Sequence, residues 1–254
     1  MLDINKIYND LEKNGYAIID KFWDQKISNE IDDYYTNNLL PLIKDTKIDK
    51  FGNRNFSLAD DELNNSPFEK IKKSSDFINL YENLLKMNHI QIKNKIDVHN
   101  VVMLQKNEID TNFKVSSKFH FDAFYLTAIF PIKIPEDKKK DNFASLIIYP
   151  NIRNIAMSSY TNYIFKFLTQ NSICRKIANY NFIKKIFNSK VVDLQENKII
   201  LFYGYRTYHG NQAMKSNNLK AQAIYHIYNP HKESRIDNYV FNRNKKIRKN
   251  KLVN

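Results

Sequence analysis

The feature that most limits how this chain can fold is a series of short β-type runs that begins after Asn94. These runs are rich in Ile, Val, Phe and Tyr, and polar loops separate them. Runs of this length and composition are typical of strands in an all-β core. The predicted strands span residues 98–105, 113–119, 126–134, 143–149, 190–194, 198–203 and 221–228. We therefore expect a mainly β protein whose strands form two facing sheets.

The first part of the chain shows helical periodicity instead. Ile4, Ile7 and Leu11 recur at helical spacing, and Gly15 is placed to end this helix in a left-handed conformation. A short strand is predicted immediately afterwards, at residues 16–20. We expect this helix to brace the core.

Two further helix starts follow, at Asp24 and Ser66, because both residue types cap helix N-termini. Between them, residues 38–65 are polar and irregular, and they predict a loop region. A last helix before the β region is predicted from an apolar stripe at helical spacing. The stripe comprises Phe77, Leu80, Tyr81, Leu84 and Leu85, and we expect it to be core.

The β pattern is interrupted by residues 158–190, in which aromatic and aliphatic residues recur at helical spacing among basic ones. This segment predicts a helical insertion that packs on the core, closes as a lid, contacts a second subunit or lies on a membrane surface. No linker or repeat divides the chain, so a single domain over residues 1–254 is expected. Its predicted parts are 1–93 (helical), 94–230 (β core with the insertion) and 231–254 (basic tail).

The composition places the chain among globular proteins. Its hydrophobic fraction is 43%, enough for a sizeable core. The net charge of +13 suggests an anionic partner, but the abundance of Lys, Asn and Ile is also what AT-rich codon usage produces. A single cysteine, Cys174, agrees with a reducing compartment. With no signal peptide or membrane-spanning run, a cytoplasmic location is expected.

Three residues have the chemistry of a metal site. His120 and Asp122 are two positions apart, so their side chains share one face if the segment is a strand. A second imidazole, His209, follows an apolar run far along the chain. Two histidines and one carboxylate make the facial triad that holds non-haem Fe(II) and leaves other coordination positions open. A structural zinc site would normally be closed by four protein ligands.

A cation, Lys220, stands eleven positions after His209 at the start of a predicted strand. With this spacing, the chain resembles the Fe(II)/2-oxoglutarate-dependent dioxygenases, and within them the phytanoyl-CoA dioxygenase-like branch. The opening segment, residues 11–22, is similar to the N-terminal helix, Gly-Tyr turn and first strand of that branch. The resemblance extends from about residue 4 to residue 228.

The resemblance implies a double-stranded β-helix, or jelly roll, with His120, Asp122 and His209 as catalytic metal ligands at one mouth of the barrel. It implies Fe(II) and 2-oxoglutarate as cofactors and Lys220 as the partner of the far 2-oxoglutarate carboxylate. The expected activity is that of a hydroxylase of C–H bonds, which releases succinate and CO2. The branch carries Arg where this chain has Lys220, and residues 144–153 replace its Gly-rich segment.

Other side chains have weaker sequence signals for a position near the site. Thr127 and Gln105 are candidates to donate hydrogen bonds to 2-oxoglutarate from neighbouring strands. Arg206 and Arg153 are candidates for binding an anionic group of the substrate. His226 shares a strand face with Lys220 and is expected to be a core residue and not a fourth ligand.

Three functions fit this sequence. The first is hydroxylation of a small molecule, anionic or sugar-like. The second keeps the chemistry but takes nucleic acid as substrate, as an oxidative demethylase, although nucleic acid is not the expected partner. The third is a non-catalytic binding module that retains the fold. The number of subunits is left open by the sequence.

Overall fold

The computed structural model describes residues 2–49, 52–92, 96–108, 119–135, 145–155, 158–212, 214, 218–240 and 242–243. Within these residues, nine strands form two antiparallel sheets. The strands are β1 Tyr16–Asp20, β2 Asn53–Ala59, β3 Val98–Asn107, β4 Leu126–Lys133, β5 Leu146–Tyr149, β6 Lys190–Val192, β7 Lys198–Phe202, β8 Tyr208–Asn211 and β9 Leu219–Ile227. The larger sheet has the order β1-β7-β4-β9-β3-β2, and the smaller has the order β6-β5-β8.

Five α-helices alternate with the first strands of the larger sheet, and three more lie between β5 and β6 of the smaller sheet. The α-helices are α1 Ile4–Asn14, α2 Gln25–Tyr34, α3 Leu40–Asp45, α4 Pro67–Lys73, α5 Ser75–Met87, α6 Ser159–Thr169, α7 Ser172–Ile177 and α8 Asn181–Ile186. A π-helical turn, Tyr35–Leu39, joins α2 to α3, and a 3₁₀ turn, Asp60–Leu63, follows β2. No helix in the described part of the chain is long and apolar enough to cross a membrane.

The larger sheet is covered on both faces, and this explains the nearly continuous apolar sequence of β4. Phe130 faces the N-terminal helices, where it packs with the α5 stripe that the sequence predicts as core. Ile129, its neighbour, faces the smaller sheet and packs with Ile148 and Phe202 between the two sheets. This arrangement confirms the predicted mainly β, jelly-roll core with bracing helices and a helical insertion.

Gly15 ends α1 as predicted. Its φ is +80°, in the left-handed region, and its N–H donates to the carbonyl of Leu11. A Cβ at this position would also lie 2.0 Å from the Cβ of Pro150. Glycine is therefore required here both by backbone conformation and by close packing of the helix end against the strand region.

The prediction of a loop over residues 38–65 is wrong in part, because α3, β2 and the 3₁₀ turn lie within this range. Residues 53–59 form β2, which pairs along its whole length with β3, from Asn53 opposite Asn107 to Ala59 opposite Val101. β2 is an edge strand, so it is held by backbone hydrogen bonds to one neighbour and buries little apolar surface. The polar sequence therefore gave no period-2 signal.

The remaining strand predictions differ mainly at their ends. The strand predicted at 221–228 begins two residues earlier, so Lys220 lies inside β9. The strand predicted at 143–149 begins at Leu146, and residues 143–144 lie outside the described residues. Nearly all of the strand predicted at 113–119, and residues 244–254 of the basic tail, also lie outside the described part of the chain.

Candidate metal centre

A two-residue antiparallel bridge brings the two candidate histidine ligands together. The N–H of His120 donates to the carbonyl of His209 at 2.9 Å, and the N–H of His209 donates to the carbonyl of His120 at 3.0 Å. Residues paired directly across an antiparallel bridge project to the same side, and the two ring centroids are 4.4 Å apart. The bridge therefore pairs His120 with β8 of the smaller sheet, and this backbone pairing sets the distance between the two imidazole rings.

Asp122 lies beyond this bridge in non-strand backbone, which differs from the expectation of a regular strand through both ligands. Its N–H donates to the carbonyl of Gly204 at 3.0 Å, so the 203–205 turn holds this segment. Asp122 Oδ1 is 3.4 Å from His120 Nε2, and its Oδ2 is 3.6 Å from His209 Nε2. One ligand atom from each residue lies within 4.8 Å of the others.

These separations fit a single metal ion. The separations of 3.4 and 3.6 Å, each from one imidazole nitrogen to a different oxygen of Asp122, are close to those of ligand atoms that lie about 2.1 Å from a common ion in tetrahedral geometry. The Nδ1–H of His209 donates to the carbonyl of Thr207 at 3.0 Å, so Nε2 keeps its lone pair for an ion. The donor set is two nitrogens and one carboxylate, with the other coordination positions left to exogenous ligands.

The charge state of the cluster also suits metal binding. Burial by itself would raise the pKa of Asp122, but His209, His226 and His120 outweigh it and hold that pKa well below its usual value. Burial lowers the pKa of His209 to about 4, against the opposing pull of Asp122. At neutral pH the site therefore holds an ionised carboxylate and an unprotonated His209, the forms that ligate metals.

Neighbouring side chains fix the carboxylate. Thr127 Oγ1 donates to Asp122 Oδ2 at 2.5 Å and lies 3.3 Å from His226 Nδ1. His226 is stacked on Phe124, and its Nδ1 is 3.8 Å from Asp122 Oδ2. His226 and Thr127 thus both lie next to Oδ2 of Asp122, and the hydrogen bond from Thr127 orients the carboxylate.

A glycine that the sequence did not single out shapes this centre. A Cβ on Gly204 would lie 2.2 Å from Thr127 Oγ1 and 2.4 Å from Asp122 Oδ2. Only a residue without a side chain lets the backbone approach the carboxylate this closely. No sequence signal marks Gly204, because the approach arises from the tertiary fold.

Lys220 is buried on the face of β9 that looks into the space between the sheets. Its Nζ donates to Asn211 Oδ1 at 3.0 Å, and Asn211 lies two residues beyond His209 on the same face of β8. Burial lowers the pKa of Lys220 to about 7. Gln105 is paired directly with Lys220 on β3, so both side chains project to this interior face.

The two candidate substrate arginines have different surroundings. The Arg153 guanidinium lies 4.0 Å from the ring centre of Phe121, the residue between His120 and Asp122. The contacts described for Arg206 are an ion pair with Glu12 of α1 at 3.8 Å and the ring face of Tyr203. The structure therefore places Arg153 against the ligand segment, and the substrate role of either arginine stays a prediction.

The helical insertion, residues 158–190, packs over the ligand segment. Phe165 of α6 contacts Phe121 with ring centroids 5.5 Å apart, and Arg175 Nε donates to the carbonyl of Phe119 at 3.1 Å. Arg153 Nη1 donates to Asn162 Oδ1 of α6 at 3.0 Å. The insertion therefore forms one wall of the space beside the metal ligands.

The described core is thus a two-sheet jelly roll that gathers two histidines and one aspartate. Comparison with solved structures confirms this fold. The chain is similar to the non-haem α-ketoglutarate-dependent epimerase SnoN from nogalamycin biosynthesis, solved also with Fe3+, α-ketoglutarate and nogalamycin RO; in that complex the TM-score is 0.54 at 13% identity, over 88% of this chain and 83% of SnoN.

Two other structures show the same fold. AviO1 from Streptomyces viridochromogenes Tue57 has a TM-score of 0.55 at 10% identity, over 91% of this chain and 96% of AviO1. A prolyl-4-hydroxylase from Pseudomonas putida has a TM-score of 0.52 at 6% identity, over 89% and 98% of the two chains. No protein-family sequence model matches the chain, and no curated protein sequence is significantly similar. The phytanoyl-CoA dioxygenase-like branch remains a prediction.

Proposed function

We propose that this chain is an Fe(II)- and 2-oxoglutarate-dependent oxygenase that hydroxylates a C–H bond of an anionic small molecule. The observation that carries the proposal is the three-ligand cluster of His120, Asp122 and His209 in the fold of that enzyme class. Iron bound there with 2-oxoglutarate would supply the oxidant, with succinate and CO2 as products. We also propose that residues 1–254 form one catalytic domain.

The residues of this chain have separable tasks in the proposal. His120, Asp122 and His209 hold the metal, and Thr127 fixes the orientation of the carboxylate by its hydrogen bond. Lys220, buried near the ligand-bearing strand, pairs with the far carboxylate of 2-oxoglutarate, and Gln105 lies beside it. A carboxylate partner would offset the burial that lowers the pKa of Lys220 and would keep the amine charged.

Hydroxylation is favoured over halogenation by Asp122. A halide needs a coordination position on the metal, and a carboxylate ligand occupies the position that a small residue would leave free. The similar solved structures include an epimerase as well as hydroxylases, so hydroxylation, as opposed to another oxidation, is part of the proposal.

Two cations beside the ligand segment support an anionic substrate. Arg153 is held by Tyr205 O at 2.6 Å and by Asn162 Oδ1 at 3.0 Å, and its Nη2 is buried with no hydrogen-bond partner among the described residues. Lys166 of α6 is close enough to Asp122 and Arg153 for their charges to affect it. Burial lowers its pKa to about 8, while the charge of Asp122 raises that pKa and the charge of Arg153 lowers it.

Burial also lowers the pKa of Arg153, to about 10. Asp122 raises the pKa of both cations, but in this proposal it is a metal ligand, so a second anion would be needed to offset their desolvation. A phosphate, sulfate or carboxylate of the substrate would provide it, and would hold the rest of the molecule beside the metal ligands.

Succinate formation tests the reaction class. The protein loaded anaerobically with Fe(II) should form succinate from 2-oxoglutarate when oxygen is admitted, and a His120→Ala variant should not. An unchanged rate in His120→Ala would show that the turnover is not due to this site. Absence of succinate from iron-loaded protein with every substrate tried would favour the binding-module function.

Matched substrates test the substrate class. Sugar phosphates and their unphosphorylated counterparts should differ in their stimulation of succinate formation, and Lys166→Met should raise KM for the phosphorylated form by about tenfold or more. Arg206→Gln is the control, because Arg206 pairs with Glu12, and its KM should be unchanged. Equal stimulation by the neutral sugars, with no effect of Lys166→Met, would contradict an anionic substrate.

A further inference from the structure

Helix α6 of the helical insertion has its polar and apolar faces reversed. Its buried residue is Asn162, and Tyr163 donates from its hydroxyl to Asp237 Oδ1 at 2.9 Å. The apolar residues Tyr160, Phe167 and Leu168 lie on the opposite face and are exposed. An amphipathic helix of a globular protein normally buries its apolar stripe, so this one presents to the exterior the face that should be covered.

The exposed apolar surface continues over α7 and α8. Twelve of the twenty exposed large hydrophobic side chains among the described residues lie between Ser158 and Val192. Exposed apolar side chains concentrated in one segment in this way indicate an interaction site. Six of these side chains are 58–81% exposed, and we name them the apolar patch: Tyr160, Phe167, Leu168, Ile173, Tyr180 and Phe182.

The charge of the same segment is entirely of one sign. Residues 158–192 contain no Asp or Glu, and their six cations are Lys166, Arg175, Lys176, Lys184, Lys185 and Lys190. Lys176 and Lys185 are exposed among the apolar side chains. The partner of this surface must therefore accept apolar side chains and carry negative charge.

We propose that the apolar patch is a docking surface for an anionic lipid bilayer. Aromatic side chains with a polar edge, such as Tyr160 and Tyr180, are suited to the headgroup level, and Phe167 and Phe182 to the acyl boundary below it. Long cationic side chains place their methylene stems along apolar surface while the amines reach anionic headgroups. No helix in the described part of the chain spans a membrane, so the contact is peripheral.

A second copy of the chain is disfavoured as the partner. A two-fold interface would place the same patch of two copies face to face, with cations of both copies and no acidic residue from either segment between them. Like charges brought together at an interface oppose association. Anionic headgroups remove this conflict.

The docking surface also bears on access to the metal centre. α6 presents Asn162 inward to Arg153, and it presents Tyr160, Phe167 and Leu168 of the apolar patch outward. One helix therefore joins the proposed substrate wall to the proposed membrane surface. Docking would thus place the metal centre close to molecules at the bilayer surface. The lipid contact itself does not depend on the proposed oxygenase activity.

Vesicle sedimentation tests the docking surface with the whole chain. We expect binding to phosphatidylcholine vesicles that contain phosphatidylglycerol, and binding at least about tenfold weaker to phosphatidylcholine alone at low salt. Phe167→Ser/Phe182→Ser should reduce the partition coefficient by about tenfold or more. Both side chains are exposed, so the variant should keep the wild-type circular dichroism spectrum and melting temperature.

Two further variants test the contribution of the cations and whether the effect is specific to the apolar patch. Lys176→Glu/Lys185→Glu should lose the preference for anionic vesicles. Ile48→Ser/Met103→Ser removes two exposed apolar side chains elsewhere and should bind like the wild type. Failure of the wild type to sediment with anionic vesicles, or equal sedimentation of Phe167→Ser/Phe182→Ser, would overturn the proposal. A dimer in light scattering that this variant converts to a monomer, without vesicle binding, would overturn it and assign the patch to a second copy.

Discussion

Replacing Gly204 by alanine should damage the metal centre with little effect on the backbone. The new Cβ would lie 2.4 Å from Asp122 Oδ2 and 2.2 Å from Thr127 Oγ1, whereas ordinary contact begins at 3.4 Å. The carboxylate and the hydroxyl would each have to move by about 1 Å. Neither can move freely, because Asp122 is buried and bonded to Thr127.

The expected magnitudes follow from this displacement. A ligand oxygen moved by about 1 Å cannot keep its metal distance, and loss of outer support of this kind lowers metal affinity by about 10–100-fold. Overpacking at a buried site should also cost about 1–3 kcal/mol of unfolding free energy. Gly204 does not have a positive φ, so the effect of the alanine substitution is steric and does not come from backbone strain.

Anaerobic calorimetric titration with Fe(II), repeated with Mn(II), measures the affinity, and urea unfolding measures the stability. Gly210→Ala is the comparison variant, since its Cβ would meet Phe119 atoms at 3.1–3.3 Å and would ask for shifts of only a few tenths of an ångström. Its affinity should stay within about threefold of wild type and its stability within about 1 kcal/mol. Wild-type metal affinity in Gly204→Ala would refute the placement of Asp122 as a ligand against this turn.

Three more substitutions probe other features. Thr127→Val, which removes the hydrogen bond to Asp122, should lower metal affinity about tenfold in the same titration without unfolding the protein. Lys220→Met should weaken 2-oxoglutarate binding by about 10–100-fold. In the wild type, the depressed pKa of Lys220, about 7, means that the folded state binds fewer protons than the unfolded state between pH 7 and about 10. Metal-free stability should therefore rise across that range, and Lys220→Met should abolish the rise. Gly15→Ala should cost more than about 2 kcal/mol in urea unfolding, because φ is +80° and Pro150 fills the space.

Each of these predictions has a contrary result. Thr127→Ser, which keeps the hydroxyl, should behave like wild type, and an equal loss in Ser and Val would attribute the effect to packing. An unchanged 2-oxoglutarate affinity in Lys220→Met, measured by calorimetry, would exclude Lys220 as its anchor. A Gly15→Ala protein as stable as wild type would contradict the close approach of α1 to Pro150.

The sequence was informative where local pattern and chemistry coincide. The spacing of His120 and Asp122, and the interval from His209 to Lys220, identified residues that the fold brings to one region. Helical periodicity located α1, α5 and the helices of the insertion, and apolar runs located the buried strands of the larger sheet. These signals are strong because each side chain carries its own evidence of burial or ligand chemistry.

Features that depend on tertiary contacts could not be predicted from the sequence. β2 is a polar edge strand that depends on pairing with β3, and Gly204 matters only because a distant carboxylate approaches it. Asn211 had a usable signal, since it lies two residues beyond His209 and so on the same face of a strand. Arg153 and Arg206 were equivalent in sequence, and only their partners, Phe121 and Glu12, distinguish them.

Periodicity also identified the helix α6 without showing its orientation. The spacing of its apolar residues predicts a stripe, and the usual expectation is that a stripe faces the core. The structure turns Asn162 inward, where it accepts a hydrogen bond from Arg153, and it turns Phe167 outward. For this reason the sequence does not decide whether the insertion packs on the core, closes as a lid, contacts a second subunit or lies on a membrane surface.

Anomalous diffraction at the iron edge, from crystals grown anaerobically with Fe(II) and 2-oxoglutarate, tests the central claim most directly. We expect one peak about 2.0–2.3 Å from His120 Nε2, His209 Nε2 and an oxygen of Asp122, with a carboxylate of 2-oxoglutarate at Lys220. Iron bound away from these three atoms, or no iron in crystals whose ligand residues keep the present geometry, would contradict the assignment of this cluster as the catalytic centre.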